Sequence, residues 1–471
     1  MVEESYDIVV VGGGTAGVTA ALAATHEGAR VALVERSAHL GGECTFTGCV
    51  PSKTLVETAR LAHELKRAAE EGILEQAPEL DFARVMARRA RVVADIARDD
   101  RDERCTDRGI AVIHGEGRFV AAHELRVGKR LLRFERAVVA AGTRPLIPPG
   151  LGLEDVPYLT NETILELKQL PRKLVCLGGG STGLEFAQVF RRFGSDVVIV
   201  EQDGKLLPRE EPEAGELAQE VFAAEGIELR LASPAMHARR SDGAIALSFE
   251  SGEEEVGDAL LVAAGRRAQS DDLGLELLGV TLRDGFVEAD EHCRTRAEHV
   301  FAAGDVTGGL LFTHVAAREG RVAGLNAAGK REKVDLRVVP SITFLDPEIA
   351  RVGLTEAEAR ASLRGVETVV FPMARVDRAR ITGRPEGFVK LVTAARRLLG
   401  RAGGGELAGA QIAGPRAGEL IHECALAMQT RSFTGRLAQM IHAYPSASMG
   451  VQQAGAQLFA LGRVLVEEKQ P

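Results

Sequence analysis

The chain has 471 residues, 45% of them hydrophobic and 27% charged, which is enough for two or three domains, each with its own core. A formal net charge of -9 argues against nucleic acid as a main partner, and no apolar run is long enough to make a membrane span. Six scattered cysteines fit a cytoplasmic chain better than a disulfide framework, and the acidic opening Met1-Val2-Glu3-Glu4-Ser5 does not read as a secretory signal.

The first predicted unit runs from Tyr6 to Glu35. Ile8-Val9-Val10-Val11 reads as a buried strand, and Gly12-x-Gly14-x-x-Gly17 as a turn. Ala16 to Ala24 reads as a helix of small residues, and Arg30 to Val34 as a return strand closed by Glu35. Such a unit predicts a dinucleotide site. The glycines let the backbone approach a pyrophosphate at a helix N-terminus, and Glu35 can accept a ribose hydroxyl. A glycine turn alone is weak evidence, but here two strands flank it and an acidic residue closes the second.

The segment Gly41-Gly42-Glu43-Cys44-Thr45-Phe46-Thr47-Gly48-Cys49-Val50-Pro51-Ser52-Lys53 follows. It sets Cys44 and Cys49 in a Gly-rich turn that runs into a helical pattern. A dithiol beside a dinucleotide site points to electron transfer between a cofactor and a disulfide. Zinc would need two more ligands nearby and none follow, so no metal site is expected. Cys105, Cys176, Cys293 and Cys424 have no close partner in sequence and read as buried thiols. The Arg-rich stretch from Phe82 to Arg108 reads as a helix with a solvated charged face.

A second strand–turn–helix–strand unit runs from Lys173 to Glu201, with Gly178-x-Gly180-x-x-Gly183 as its turn. It predicts a second dinucleotide site. Glu201 would accept the adenosine ribose hydroxyls and repel a 2′-phosphate, which favours NADH, while Lys205 and Arg209 leave NADPH open. Ala297 to Asp305 reads as a strand ending at Gly304-Asp305 and returning the chain to the first domain. From about Arg337 the pattern becomes mixed strands and helices punctuated by prolines, with Arg401 to Gly405 as a hairpin tip.

The two glycine fingerprints and the Gly41–Lys53 segment resemble those of the flavin-dependent pyridine nucleotide–disulfide oxidoreductases. That group contains glutathione reductase, dihydrolipoamide dehydrogenase and mercuric reductase. The resemblance covers nearly the whole chain. It implies an α/β fold with two Rossmann-like dinucleotide-binding domains plus a C-terminal α+β interface (dimerisation) domain. The expected boundaries are 1–150 and 269–336 for the two parts of the FAD-binding domain, 151–268 for the NAD(P)-binding domain and 337–471 for the interface domain.

The resemblance also implies roles for particular residues. Gly12, Gly14, Gly17 and Glu35 would hold FAD, with Lys53, Ala141, Gly142, Gly304 and Asp305 completing its site. Gly178, Gly180, Gly183 and Glu201 would hold NAD. Cys49 would lie against the flavin and Cys44 would exchange with substrate. Lys53 would pair with Glu185 near the reactive edge of the flavin, and Ser181 stands where relatives often carry a gating tyrosine. Segments such as Pro340 to Phe344 and Gly414 to Ile421 match the interface domain and imply a homodimer with a substrate site shared between subunits.

One loop departs from the pattern. Glutathione reductase and dihydrolipoamide dehydrogenase carry a histidine and a glutamate there, as the acid–base pair for thiol exchange. Here Tyr444 takes the place of the histidine and Met449 that of the glutamate. An unperturbed tyrosine, with a pKa of about 10, is a poor proton shuttle near neutrality. Tyr444 can donate a hydrogen bond, and His442, two residues away, is the other acid–base candidate.

Mercuric reductases also place a tyrosine in this region, but they add a cysteine pair near the C-terminus, and no cysteine follows Cys424 here. The expectation is a mercuric-reductase-like flavoprotein without the mercury relay. It would pass electrons from NADH through FAD and Cys44–Cys49 to a metal ion, a quinone or a small disulfide. Dihydrolipoamide dehydrogenase and a redox sensor that binds FAD without useful turnover are the rival readings.

Overall fold

The computed structural model describes residues 2–459. They group into two compact units, one built from the chain up to Leu170 with Leu261–Asp335, the other from Pro171–Leu260 with the chain from Leu336. Residues 151–170 and 261–268 thus pack with the first unit. The reason is polar: Asn161 bonds Glu43, and Arg266 bonds Thr143.

In the first unit, β1 (Val2–Val11), α1 (Thr15–His26) and β2 (Val31–Glu35) form the first strand–turn–helix–strand. Then come α2 (Gly42–Phe46), α3 (Cys49–Glu70) and α4 (Phe82–Ile96), followed by β3 (Ala111–His114), β4 (Gly117–Ala121), β5 (Glu124–Val127) and β6 (Arg130–Val139). The sheet order is β3-β2-β1-β6-β5-β4, with the strand Val300–Ala302 parallel to β6. The strands β3, β2, β1 and β6 run parallel, and β1 pairs Val10 with Leu33 on one side and with Val138 on the other. Both faces of this parallel core are covered, which is why its strands read as unbroken apolar runs rather than as alternation.

The small residues of α1 are required by a close helix contact. A side chain at Gly320 or Gly324 of the helix Thr313–Ala327 would put its Cβ 2.2 Å from the backbone oxygen of Ala16 or Ala20. The Arg-rich stretch is less regular than its charge spacing predicts. α4 stops at Ile96, a 3-10 turn spans Ala97–Asp100, and a short helix spans Glu103–Thr106. Two acids at the break turn to partners outside the stretch: Asp100 accepts from the Thr45 hydroxyl at 2.6 Å, and Asp102 bonds His114 at 2.8 Å. Arg88 is no solvated charge either, since it donates to the Thr58 hydroxyl on α3 at 3.0 Å.

In the second unit, the strands Lys173–Leu177, Asp196–Val200 and Glu228–Arg230 run parallel, with the helix Ser181–Phe193 crossing over between the first two. After Leu336 the chain builds an antiparallel sheet in the order Pro340–Thr343, Glu348–Gly353, Glu406–Gly414, Phe388–Ala394, Glu367–Pro372. The hairpin tip expected at Arg401 to Gly405 falls earlier, at residues 397–399 closed by the Arg396–Gly400 bridge, and a 3-10 turn at Ala402–Gly404 then leads into the strand Glu406–Gly414. Ile421 on the helix Ala417–Gln429 and Val451 on the helix Met449–Ala456 pack into one core with Val352, Leu391 and Ile412 of the sheet.

Lys390 stands in the fully buried strand Phe388–Ala394 and needs charged partners. Its Nζ lies 3.0 Å from Glu211, 2.7 Å from Glu213 and 3.0 Å from Glu356. Burial works against its charge, but the three carboxylates outweigh it and hold the ammonium above the ordinary lysine range. The stabilisation is therefore present below about pH 10.4 and is lost as pH rises through the higher folded value. Lys390→Met leaves the carboxylates without their cation, and the expected cost is about 3–5 kcal/mol. Thermal and denaturant unfolding at pH 7 would show it, and an unchanged midpoint would contradict it.

Candidate active site

Each glycine of the first turn has a separate physical task. Gly12 has φ +108°, and a Cβ there would stand 2.2 Å from the Ala140 oxygen. A Cβ on Gly17 would stand 1.7 Å from the Gly12 oxygen. Those two close the turn. Gly14 is different: its Cβ would meet only the Gly42 Cα, at 3.9 Å, so open space lies over the N-terminus of α1. Glu35 braces the turn by accepting the N–H of Gly13 at 2.6 Å and that of Ser37 at 2.7 Å.

The second turn repeats the design. Gly178 has φ +119°, and a Cβ on Gly180 would meet nothing within 4 Å. Gly183 is buried in the crossover helix, and Ser181 is that helix's first residue. Glu201 accepts the N–H of Gly179 at 2.5 Å and that of Asp203 at 2.9 Å. Glu201 thus has a task the sequence did not reveal, holding the glycine loop. Each carboxylate oxygen has two acceptor sites, so room for a ribose hydroxyl is left. Both turns fit a dinucleotide, with an open backbone cradle at a helix N-terminus and a carboxylate beside it.

The strand ends of the first unit add polar groups. Ala141 and Gly142 follow β6, and Gly142 has φ +72° with open space where a Cβ would stand. Gly304, at φ +78°, gives its N–H to Glu319 at 2.7 Å. Burial pushes Glu319 up to about 7, against the Gly304 N–H and with help from Asp305. Asp305 accepts from the Thr143 hydroxyl at 3.4 Å, and its carboxyl is raised by burial despite Arg266. A partly buried carboxylate at a strand end fits a hydroxyl-rich chain such as the ribityl of FAD.

The dithiol sits beside the first turn. Gly41 and Gly42 have φ +111° and +60°, which only glycine adopts cheaply, and they turn the chain into α2. Cys44 lies inside that short helix, rather than in an open turn, and Cys49 opens α3. Cys44 is half-buried and Cys49 is exposed. The two are thiols in contact, and one further hydroxyl touches both. The Thr313 Oγ1 is 3.3 Å from the Cys44 sulfur and 3.4 Å from that of Cys49. The bond with Cys49, and then burial, push the Cys44 thiol up, and Thr313 pulls it partly back. Sequence reasoning stopped at Asp305 and missed Thr313, whose position near the cysteines no local spacing signals. Lys53 lies four residues after Cys49 on α3, in the first unit. Glu185 lies in the second unit, where it is buried and accepts the Phe344 N–H at 2.9 Å.

The interface-domain loop brings its two candidates to different partners. Tyr444 is 70% exposed, and its hydroxyl donates to Asp377 at 3.0 Å. Asp377 raises the phenol above its ordinary value. The His442 side chain is only 2% exposed, with Nε2 3.0 Å from Glu423 and Nδ1 3.0 Å from the Met440 carbonyl. Both ring nitrogens are therefore engaged inside the fold. Met449 packs against the hydrophobic core of its domain.

Two cradled glycine turns, a dithiol and a C-terminal antiparallel domain define an oxidoreductase that links a nicotinamide cofactor to a disulfide. Residues 6–320 match the pyridine nucleotide-disulphide oxidoreductase family, and residues 339–454 match the dimerisation domain of that family. The chain belongs to this family and is an NAD(P)H-dependent, FAD-using flavoprotein disulfide oxidoreductase.

A mercuric reductase from Acidithiobacillus ferrooxidans is 37% identical over 467 residues, covering 97% of this chain and 83% of the relative. A dihydrolipoyl dehydrogenase from Halobacterium salinarum is 35% identical over 473 residues, covering 98% and 97%. Among solved structures, the HOCl-induced flavoprotein disulfide reductase RclA from Escherichia coli, in its Cu(II) complex, superposes with a TM-score of 0.86. Its identity is 29%, over 97% of this chain and 100% of RclA. LpdA from Mycobacterium tuberculosis gives 0.85 at 29% identity, over 98% and 100%. Among the described residues no helix is long and apolar enough to cross a membrane. The C-terminal stretch from 460 lies outside the described residues.

The geometry has two testable consequences. Gly180→Ala places a methyl in the open cradle where no protein atom lies within 4 Å, so the KM for the nicotinamide cofactor should rise about tenfold, or about 1.4 kcal/mol, with an unchanged melting temperature. Steady-state kinetics and calorimetry would check both halves. His442→Ala leaves the Glu423 carboxylate without its partner at an expected cost of about 1–3 kcal/mol. Burial already raises Glu423, so in that variant the loss should shrink as pH falls and the carboxyl takes up a proton. Unfolding measured at pH 5 and pH 8 would show the difference.

Proposed function

We propose that the enzyme passes electrons from NADH to a thiol-binding metal ion or a quinone, and that lipoamide and glutathione disulfide are poor acceptors. Tyr444 carries this reading. It occupies the loop position at which the disulfide reductases place their proton donor, and Asp377 raises its phenol further from neutrality. A thiol-exchange step needs a proton delivered to the leaving thiolate, and loss of a positioned acid costs on the order of 10²–10⁴-fold. An acceptor that takes electrons from the dithiol without that proton escapes the penalty. The names of two relatives support this reading, a mercuric reductase and a flavoprotein reductase bound to copper, while the dihydrolipoyl dehydrogenases support the rival one.

The remaining residues act as holders. When bound, FAD relays electrons between the nicotinamide and the cysteines. Gly12, Gly14, Gly17 and Glu35 form its phosphate and ribose cradle, with Ala141, Gly142, Gly304 and Asp305 at the strand ends. Gly178, Gly180, Gly183 and Glu201 form the NAD cradle, and the carboxylate of Glu201 favours NADH over NADPH. Cys49 faces the flavin, Cys44 meets the acceptor, and Lys53 and Glu185 form the ion pair near the reactive edge. The dimerisation domain supports a homodimer in which the Tyr444 loop completes the dithiol site of the partner subunit. Six cysteines scattered along the chain, with no disulfide framework in their spacing, support a reducing cytoplasmic setting.

An acceptor screen that follows NADH loss tests the reading. Quinones or thiol-binding metal ions should be reduced at rates well above those for lipoamide. Tyr444→His combined with Met449→Glu should raise lipoamide reduction. Wild-type turnover of lipoamide matching that of the best other acceptor would make dihydrolipoamide dehydrogenase the better assignment.

A further inference from the structure

The four residues between the cysteines are tied down by groups far away in sequence. The amide nitrogen of Asn161, a buried residue, donates to Glu43 Oε1 at 3.0 Å and to the Thr47 carbonyl at 3.2 Å. One nitrogen thus ties the residue before Cys44 to Thr47, two residues before Cys49. The backbone repeats the closure, since the Thr47 N–H donates to the Glu43 carbonyl at 2.9 Å. Gly48 completes it by close approach: a Cβ there would stand 3.0 Å from the Glu43 oxygen and 3.3 Å from its Cγ. The other oxygen of Glu43 is paired with the Arg266 guanidinium. Arg266 Nε donates to the Thr143 hydroxyl at 2.7 Å, and Thr143 donates to Asp305 at 3.4 Å. A continuous polar chain therefore runs from the residue before Cys44 to Asp305, the carboxylate proposed for the FAD site. Burial raises the Glu43 carboxyl and Arg266 opposes the rise.

We infer that Glu43, Asn161 and Arg266 are positioning residues that hold Cys44 and Cys49 together in the reduced state and so set the dithiol–disulfide equilibrium. Closing a disulfide between two free-moving thiols costs the entropy of bringing the sulfurs together. Here the contact already exists before the bond forms, which raises the effective concentration of one thiol at the other. Loosening the clamp gives freedom back to the dithiol and leaves the disulfide little changed. The couple then becomes easier to reduce.

The inference rests on the proposed redox role of Cys44 and Cys49, and the test separates the two. Holoenzyme is equilibrated in glutathione buffers. Two glutathione thiols become one glutathione disulfide as the Cys44–Cys49 bond opens and takes up two electrons and two protons. Alkylation and mass spectrometry of the cysteine peptide read the dithiol fraction directly, independent of turnover. In wild type a disulfide that opens within the buffer range supports the redox role; a pair that never closes sinks that role and the inference with it.

In Glu43→Ala the equilibrium should move roughly tenfold toward the dithiol, a rise in potential of about 30 mV. Glu43→Gln, which keeps an acceptor for Asn161 but loses the ion pair, should move it less in the same direction. FAD content and melting temperature, measured alongside, show that each protein is folded. Asn161→Ser serves as the second variant where Glu43→Ala does not fold. With wild-type redox behaviour intact, folded variants whose equilibrium is unchanged, or shifts toward the disulfide, overturn the inference and leave the redox role standing.

Discussion

A carboxylate at the end of a return strand holds each glycine turn by a backbone N–H, and both dinucleotide cradles depend on that contact. Glu35 takes the N–H of Gly13, and Glu201 takes that of Gly179. The approach is close enough that a side chain on either loop residue would push its neighbours aside. A Cβ on Gly13 would lie 2.6 Å from the Leu40 side chain and 3.0 Å from the Glu35 Cβ, and one on Gly179 would lie 2.9 Å from both the Glu201 carboxylate and the Leu206 side chain. A buried carboxylate is costly unless it is hydrogen-bonded, and a tight turn has N–H groups to satisfy. Each feature supplies what the other lacks. The contact, with the leucine beside it, gives a reason for the glycine between the first two glycines of each fingerprint and for the acidic residue that closes each unit.

The dithiol depends on the same first turn through Gly41, whose N–H donates to the Gly13 carbonyl at 2.9 Å. From there its surroundings are assembled from four stretches of chain: Asp100 on Thr45, Asn161 on Glu43 and Thr47, Arg266 on Glu43, and Thr313 on both sulfurs. Neutral hydroxyl and thiol groups contact the sulfurs, while the charges are paired with one another a residue away. Such a site restrains position more than it shifts charge. The helix start at Cys49 adds the positive end of a dipole to one of the two thiols.

The loop of the interface domain sends its two candidate acid–base residues to different partners. His442 is buried with Glu423, while Tyr444 projects with its hydroxyl on Asp377. A histidine whose two nitrogens both meet acceptors holds a loop in place. An exposed phenol with a raised pKa offers an oxygen contact and poor proton transfer. Met449 fits the same account, since it has joined the hydrophobic core and orients no acid–base group.

Local sequence determined a good deal of this protein. The two strand–turn–helix–strand units, the glycines of their turns, the cysteine pair and the change of pattern near Arg337 are set by near neighbours and are legible from spacing. Helix packing was legible only as a run of small residues in α1; the close contact they permit, with Gly320 and Gly324, lies about three hundred residues on. Tertiary structure alone decided the rest. The break in the Arg-rich helix, the Lys390 cluster, Thr313 at the sulfurs and the Asn161–Glu43–Arg266 chain join residues tens to hundreds of positions apart. A polar side chain has no periodicity that names its partner. Burial makes an unpaired polar group costly, and which groups become buried together is settled only when the sheets and helices pack.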